Sequence, residues 1–138
     1  MPNVVFVAPF FMEATLRFLD AAATVPATRL AVISQSPAAA IPESVRGRLA
    51  GHFQVQNAFD PAELVRGVRG LEQHLGPVKR VIGMLEHLQV PLAEARAALG
   101  LPGLTPEAAH RFRDKSAMKP PLRAHGLPCA AHQLVAHA

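Results

Sequence analysis

Apolar residues run through this chain in two rhythms. Val4-Val5-Phe6-Val7-Ala8 and Leu30-Ala31-Val32-Ile33 are unbroken runs rich in β-branched residues, the pattern of strands buried on both faces of a parallel sheet. The first predicts a central strand over residues 3 to 8, the second a strand over 29 to 34. Phe53-Gln54-Val55-Gln56 alternates and predicts a strand nearer the sheet edge, and Arg80 to Leu85 supplies a fourth. Between them the period changes. Leu16, Leu19 and Ala22 recur at helical spacing after Met12, a short helix is expected from Pro42 to Leu49, and Leu64, Val68, Leu71 and Leu75 mark the buried face of a longer one.

That longer helix has a legible start and stop. Asp60 is placed to cap it, Pro61 takes the first helical position, Glu63 stands where it can reach back to the cap, and Gly76-Pro77 ends it. Strands alternating with helices through residue 100 predict an α/β fold: a Rossmann-like, mostly parallel sheet flanked by helices. Beyond it helix follows helix. Val90 to Leu99 is closed by Gly100, Thr105-Pro106 opens the next helix, and Asp114 caps a third in which Pro120-Pro121 predicts a kink or a restart. Residues 1–100 are therefore expected to form the α/β domain and 101–138 a helical appendage.

Charge changes the picture only at the end. Residues 1–110 carry nine Lys or Arg against nine Asp or Glu, whereas residues 111–138 carry five against one, so the formal excess of +4 lies in the last segment. A basic balance attracts phosphate. With no Trp or Tyr, and Phe mostly inside apolar runs, there is little for bases to stack on, and nucleic acid is disfavoured as a partner. No apolar run is long enough to span a bilayer. The single Cys129 rules out an internal disulfide framework, the N-terminus lacks a secretory pattern, and a cytoplasmic location is the expectation.

In a sheet of this kind ligands bind beyond the carboxyl ends of the strands. The loop Pro9-Phe10-Phe11-Met12 has no glycine cradle for a pyrophosphate, which argues against a dinucleotide. Ser34 offers a hydroxyl after the second strand, beside its plainer reading as a turn residue. Glu86 and His87 follow the fourth strand, where a carboxylate and an imidazole can contact a ligand or work as acid and base; the plainer reading is a solvated helix start. The remaining histidines form no zinc-binding pattern, and no metal ligand or catalytic residue is assigned. Lys115 opens a helix, where unpaired amides favour an anion such as phosphate, and Lys119 lies one turn on.

Val81-Ile82-Gly83-Met84-Leu85-Glu86, Leu92-Ala93-Glu94-Ala95-Arg96, Leu99-Gly100-Leu101-Pro102-Gly103, Phe112-Arg113-Asp114-Lys115, Met118-Lys119 and Gly126-Leu127-Pro128, in this order and spacing, resemble the ATP-grasp superfamily. The likeness is close over residues 81 to 130 and rests on strand order before that. It implies the N-terminal domain of an ATP- and magnesium-dependent carboxylate ligase that forms an acyl phosphate. It further implies Lys115, and less firmly Lys119, as contacts to the ATP phosphates, and Glu86, with His87 and Ser34 nearby, at the substrate or nucleotide pocket.

The nucleotide clamp and the acidic magnesium ligands of such enzymes are not found in the sequence. The isolated chain is therefore expected to be inactive, with Ala130 to Ala138 poorly ordered or exposing apolar surface. Expected partners are a small carboxylate and ATP, with a homodimer left open. The alternative is a non-catalytic α/β module that binds a small anion or a partner protein.

Overall fold

A computed structural model of the chain describes residues 1–135. Four strands, β1 (Asn3–Val7), β2 (Arg29–Ser34), β3 (Gly51–Gln54) and β4 (Val78–Ile82), form one sheet in the order β3-β2-β1-β4. All three pairings are parallel, with Val5 opposite Ala31 and Val81. Helices α1 (Glu13–Ala23), α2 (Glu43–Arg46), α3 (Pro61–Leu75) and α4 (Gln89–Leu99) provide the cover, followed by α5 (Pro106–Arg113) and α6 (Lys115–Ala124).

Alternation along the strands divides the core into two layers, because successive side chains point to opposite faces. Val5, Val7, Ala31 and Ile33 pack with Leu64, Val68 and Leu71 of α3 and Leu92 and Ala95 of α4. Phe6, Ala8, Leu30 and Val32 pack with Leu19 of α1, Ile41, and Val45 of α2. The central strands are thus buried on both faces, as their unbroken apolar runs predict. Helix α5 packs on α4 and α6 on α5; α5 buries only Ala109, and α6 buries no residue fully.

Four local expectations are corrected. The third strand covers 51–54 rather than 53–56, because its ladder with β2 begins where the Ala50 amide donates to the Leu30 carbonyl at 2.7 Å. The fourth strand covers 78–82 rather than 80–85, because its pairing with β1 begins at Val78 opposite Asn3 and ends at Ile82 opposite Phe6. Asp60 caps α3 by accepting from the Ala62 amide at 2.9 Å, but Glu63 accepts from the Gln56 amide at 3.0 Å instead of reaching the cap. Finally, α6 runs as one helix through Pro120 and Pro121. Both prolines lie past its first turn on a partly exposed helix, where water can serve the carbonyls their rings leave unbonded.

Gly100 closes α4 in the left-handed conformation at φ 66°, which glycine adopts without a side-chain clash. At the far end Leu134 and Val135 are 75% and 81% exposed. Residues 136–138, the remainder of the segment expected to lack a partner, lie outside the described residues.

Candidate functional site

The chain leaves β1 towards β2 and β3, then returns to the other side of β1 to form β4. The strand order reverses between β1 and β4, the position beyond whose carboxyl ends sheets of this kind hold their ligands. Gly83 lies there, one residue past β4 and beside the end of β1. A Cβ on this residue would lie 2.9 Å from Leu92 Cδ1, 3.2 Å from Leu88 Cδ1 and 3.3 Å from the Val7 carbonyl oxygen, so only a glycine lets the two loops approach this closely. Met84 then packs into one core layer and Leu85 into the other, which fixes where Glu86 leaves the sheet.

Ser34, at the end of β2, is fully buried, and its hydroxyl is already engaged. It donates to the Ser36 carbonyl at 2.6 Å and lies 2.7 Å from His52 Nε2. With its proton committed to Ser36, Ser34 Oγ accepts from His52 Nε2–H. His52, on β3, is held below the usual histidine range by burial, opposed in part by a hydrogen bond to the Ser36 backbone. The pair braces the 34–36 loop, and Ser34 presents no free hydroxyl beyond the strand ends. Gln35 completes the bracing: its amide donates to the Pro9 carbonyl at 3.0 Å and its Oε1 accepts from the Ala58 amide at 3.0 Å.

Glu86 opens a single 3-10 turn over Glu86–Leu88. Its carboxylate meets Arg113 Nη1, from the end of α5, at 3.2 Å. The two flank a shallow groove of about 170 Å³ whose other walls are Gln89, Leu104, Ala109 and Phe112. Gln89 Nε2 donates to the Leu85 carbonyl at 3.1 Å and holds the turn in place. His87 is exposed, outside the groove walls and without a hydrogen bond among the described residues. The structure brings Glu86 together with Arg113, a residue of the quoted Phe112–Lys115 motif to which the sequence assigned no role, and does not bring Ser34 or His87 to the pair.

One residue past Arg113, Asp114 caps α6. Its Oδ1 accepts from the Ser116 amide at 2.8 Å, the Ala117 amide at 3.4 Å and the Ser116 hydroxyl at 2.6 Å, and these bonds lower its pKa, the Ser116 hydroxyl foremost. Those amides, expected to be free for an anion, are therefore occupied by the protein's own carboxylate. What remains at the helix start is the exposed ammonium of Lys115, with Lys119 one turn along and partly buried. Neither lysine makes an ion pair among the described residues.

A magnesium ion needs several oxygen ligands, usually carboxylates and waters. Among the described residues no three His, Cys, Asp or Glu side chains stand together to hold one. The residues present do not fit a resident metal, and no step is assigned to one. No helix among them is long and apolar enough to cross a membrane.

No family model matches the chain, and no curated protein matches it in sequence. Among solved structures it is similar to an L-amino acid ligase from Bacillus licheniformis, at 19% identity and a TM-score of 0.69, covering 93% of this chain and 31% of that one. It is also similar to a phosphoribosylglycinamide synthetase from Anaerococcus prevotii, at 15% identity and a TM-score of 0.62, covering 91% of this chain and 29% of that one. Both are ATP-grasp enzymes. At these identities the likeness is one of fold, and it agrees with the resemblance carried by residues 81 to 130. The chain spans about three-tenths of the length of the structures it matches.

Proposed function

We infer that this chain serves as the N-terminal α/β unit of an ATP-dependent ATP-grasp ligase acting on a small carboxylate. One observation carries the reading. The strand reversal between β1 and β4, the Glu86 turn and the Asp114–Lys115 helix start follow one another in a single fold, and 93% of the chain superimposes on a ligase. On this reading the cytoplasm, where ATP is available, is the setting.

The residues would divide the work by charge. Arg113 is already neutralised by Glu86, and a substrate carboxylate entering the groove would compete for its guanidinium, which can hold a carboxylate through two N–H groups. Lys115 would face the nucleotide phosphates as a point charge, with Lys119 behind it. In the acyl-phosphate route the carboxylate oxygen attacks the γ-phosphorus of ATP, ADP leaves, and an amine then displaces phosphate from the acyl carbon. The contribution of this unit to that sequence is positioning and charge neutralisation.

Because Asp114 fills the helix-end amides, ATP affinity in the isolated chain rests on exposed cations and is expected to be weak and salt-sensitive. Titration calorimetry with ATP and magnesium tests it. Binding in the millimolar range that falls with added salt and vanishes in Lys115→Ala supports the reading. Saturable binding untouched by Lys115→Ala would remove Lys115 from the phosphate site.

A further inference from the structure

Helices α5 and α6 diverge from Asp114, and the cleft between them is lined by Ala108, Phe112, Met118, Pro121 and Leu122, with Arg111 at its rim. Its volume of about 240 Å³ falls below the roughly 300 Å³ at which small-molecule pockets begin. It matches one or two apolar side chains, the scale of an anchor at a protein interface. Phe112 stands on the ridge between this cleft and the Glu86 groove, borders both, and is 72% exposed. A large aromatic left in water beside an apolar cleft is the signature of an interaction surface rather than of a finished core.

Charge identifies the occupant. Lys115, Lys119 and Arg123 recur at i, i+4 and i+8 and so share one stripe along α6, next to the face that carries Met118 and Leu122. None of the three is ion-paired with a carboxylate among the described residues. Arg123 instead donates to the Ala130 carbonyl at 3.3 Å and meets His132 Nδ1 at 3.5 Å. Like charges one turn apart repel, and a facing row of carboxylates relieves that repulsion. A second copy of this chain would set stripe against stripe. A bilayer wants an apolar face that projects outward, whereas here Phe112 alone projects and Met118, Pro121 and Leu122 line a recess.

We propose that the α5–α6 cleft docks an acidic amphipathic segment of a partner protein. Its apolar side chains, spaced i, i+3 or i+4, enter the cleft against Phe112, and its carboxylates lie opposite Lys115, Lys119 and Arg123. The inference shares Lys115 and Lys119 with the nucleotide reading, so its test leaves both lysines unaltered and changes only Phe112 and Arg123, and the two fail separately.

A displayed library of random 16-residue peptides is selected on the purified chain, with counter-selection on Phe112→Asp. Enriched peptides are expected to combine apolar residues at helical spacing with flanking Asp or Glu. A synthetic copy should bind at least tenfold more weakly to Phe112→Asp, to Phe112→Ser and to Arg123→Glu, all with unchanged circular dichroism. No enrichment, enriched peptides without carboxylates, or binding indifferent to these substitutions would overturn the proposal. So would Phe112-dependent sedimentation with phosphatidylserine vesicles, or Phe112-dependent self-association in the ultracentrifuge, which would give the face to a membrane or to a second copy.

Discussion

Replacing Gly83 by alanine perturbs the contact between the ends of β1 and β4 with a single methyl group. The new Cβ would stand 2.9 Å from Leu92 Cδ1 and 3.2 Å from Leu88 Cδ1, and both leucines are fully buried, so neither can swing its end into solvent. The Val7 carbonyl, 3.3 Å away on the third side, is held by the sheet. Overpacking of this kind costs about 1–3 kcal/mol. Against it, Gly83 does not have a positive φ, so alanine fits the backbone and reduces unfolded-state entropy, a gain of about 0.4–1 kcal/mol. The difference is a net loss of about 0–2.6 kcal/mol, about 1.3 kcal/mol at mid-range.

For 138 residues, about 2.1 cal/mol/K per residue gives an unfolding entropy of about 0.29 kcal/mol/K and, at the mid-range loss, a fall in Tm of about 4–5 °C. The chain has no Trp or Tyr, so the assay is far-ultraviolet circular dichroism in urea and on heating. Leu92→Ala removes the nearest colliding atom, and in that background Gly83→Ala should cost at least about 0.5 kcal/mol less. An alanine variant as stable as the parent, or costs that simply add, would refute the packing argument and with it the close approach of the β1 and β4 loops.

Three further outcomes follow. Burial lowers the His52 pKa below 6.5, so between the folded value and 6.5 the unfolded chain binds more protons and stability rises with pH through that window; the urea midpoint should drop more on going from pH 8 to pH 5.5 in the parent than in His52→Gln, and equal drops would contradict the assignment. Asp60→Ala deletes the α3 cap and should destabilise by about 1 kcal/mol, read from the urea midpoint, with no loss if water replaces the carboxylate. The 138-residue chain alone should release no ADP from ATP across a panel of carboxylates and amines; turnover abolished by Lys115→Ala would mean that it is a minimal enzyme.

The sheet was legible because burial on both faces leaves its mark within five or six consecutive residues, as in Val4 to Ala8 and Leu30 to Ile33. What sequence hid was set by distant partners. β3 starts at Gly51 because of an amide bonded to Leu30, and Glu63 turns to Gln56 rather than to its own cap. In the site, Glu86 could be placed by its position after a strand, whereas Arg113 is 27 residues away in a helix whose basic residues all read alike. The Ser34–His52 contact is diagonal between adjacent strands, visible only once the register pairing Val32 with His52 is known. Asp114 caps α6 as its position in the sequence predicts, but the free amides expected beside it are the ones Asp114 itself fills.

The central claim, that nucleotide and substrate meet this unit where the Glu86 turn faces the Asp114–Lys115 helix start, is tested most directly by amide chemical-shift mapping of the nitrogen-labelled chain during titration with ATP and magnesium. The account predicts shifts concentrated at residues 83–89 and 113–119 that disappear in Lys115→Ala. Shifts confined to other surfaces, or unchanged by that substitution, would contradict it.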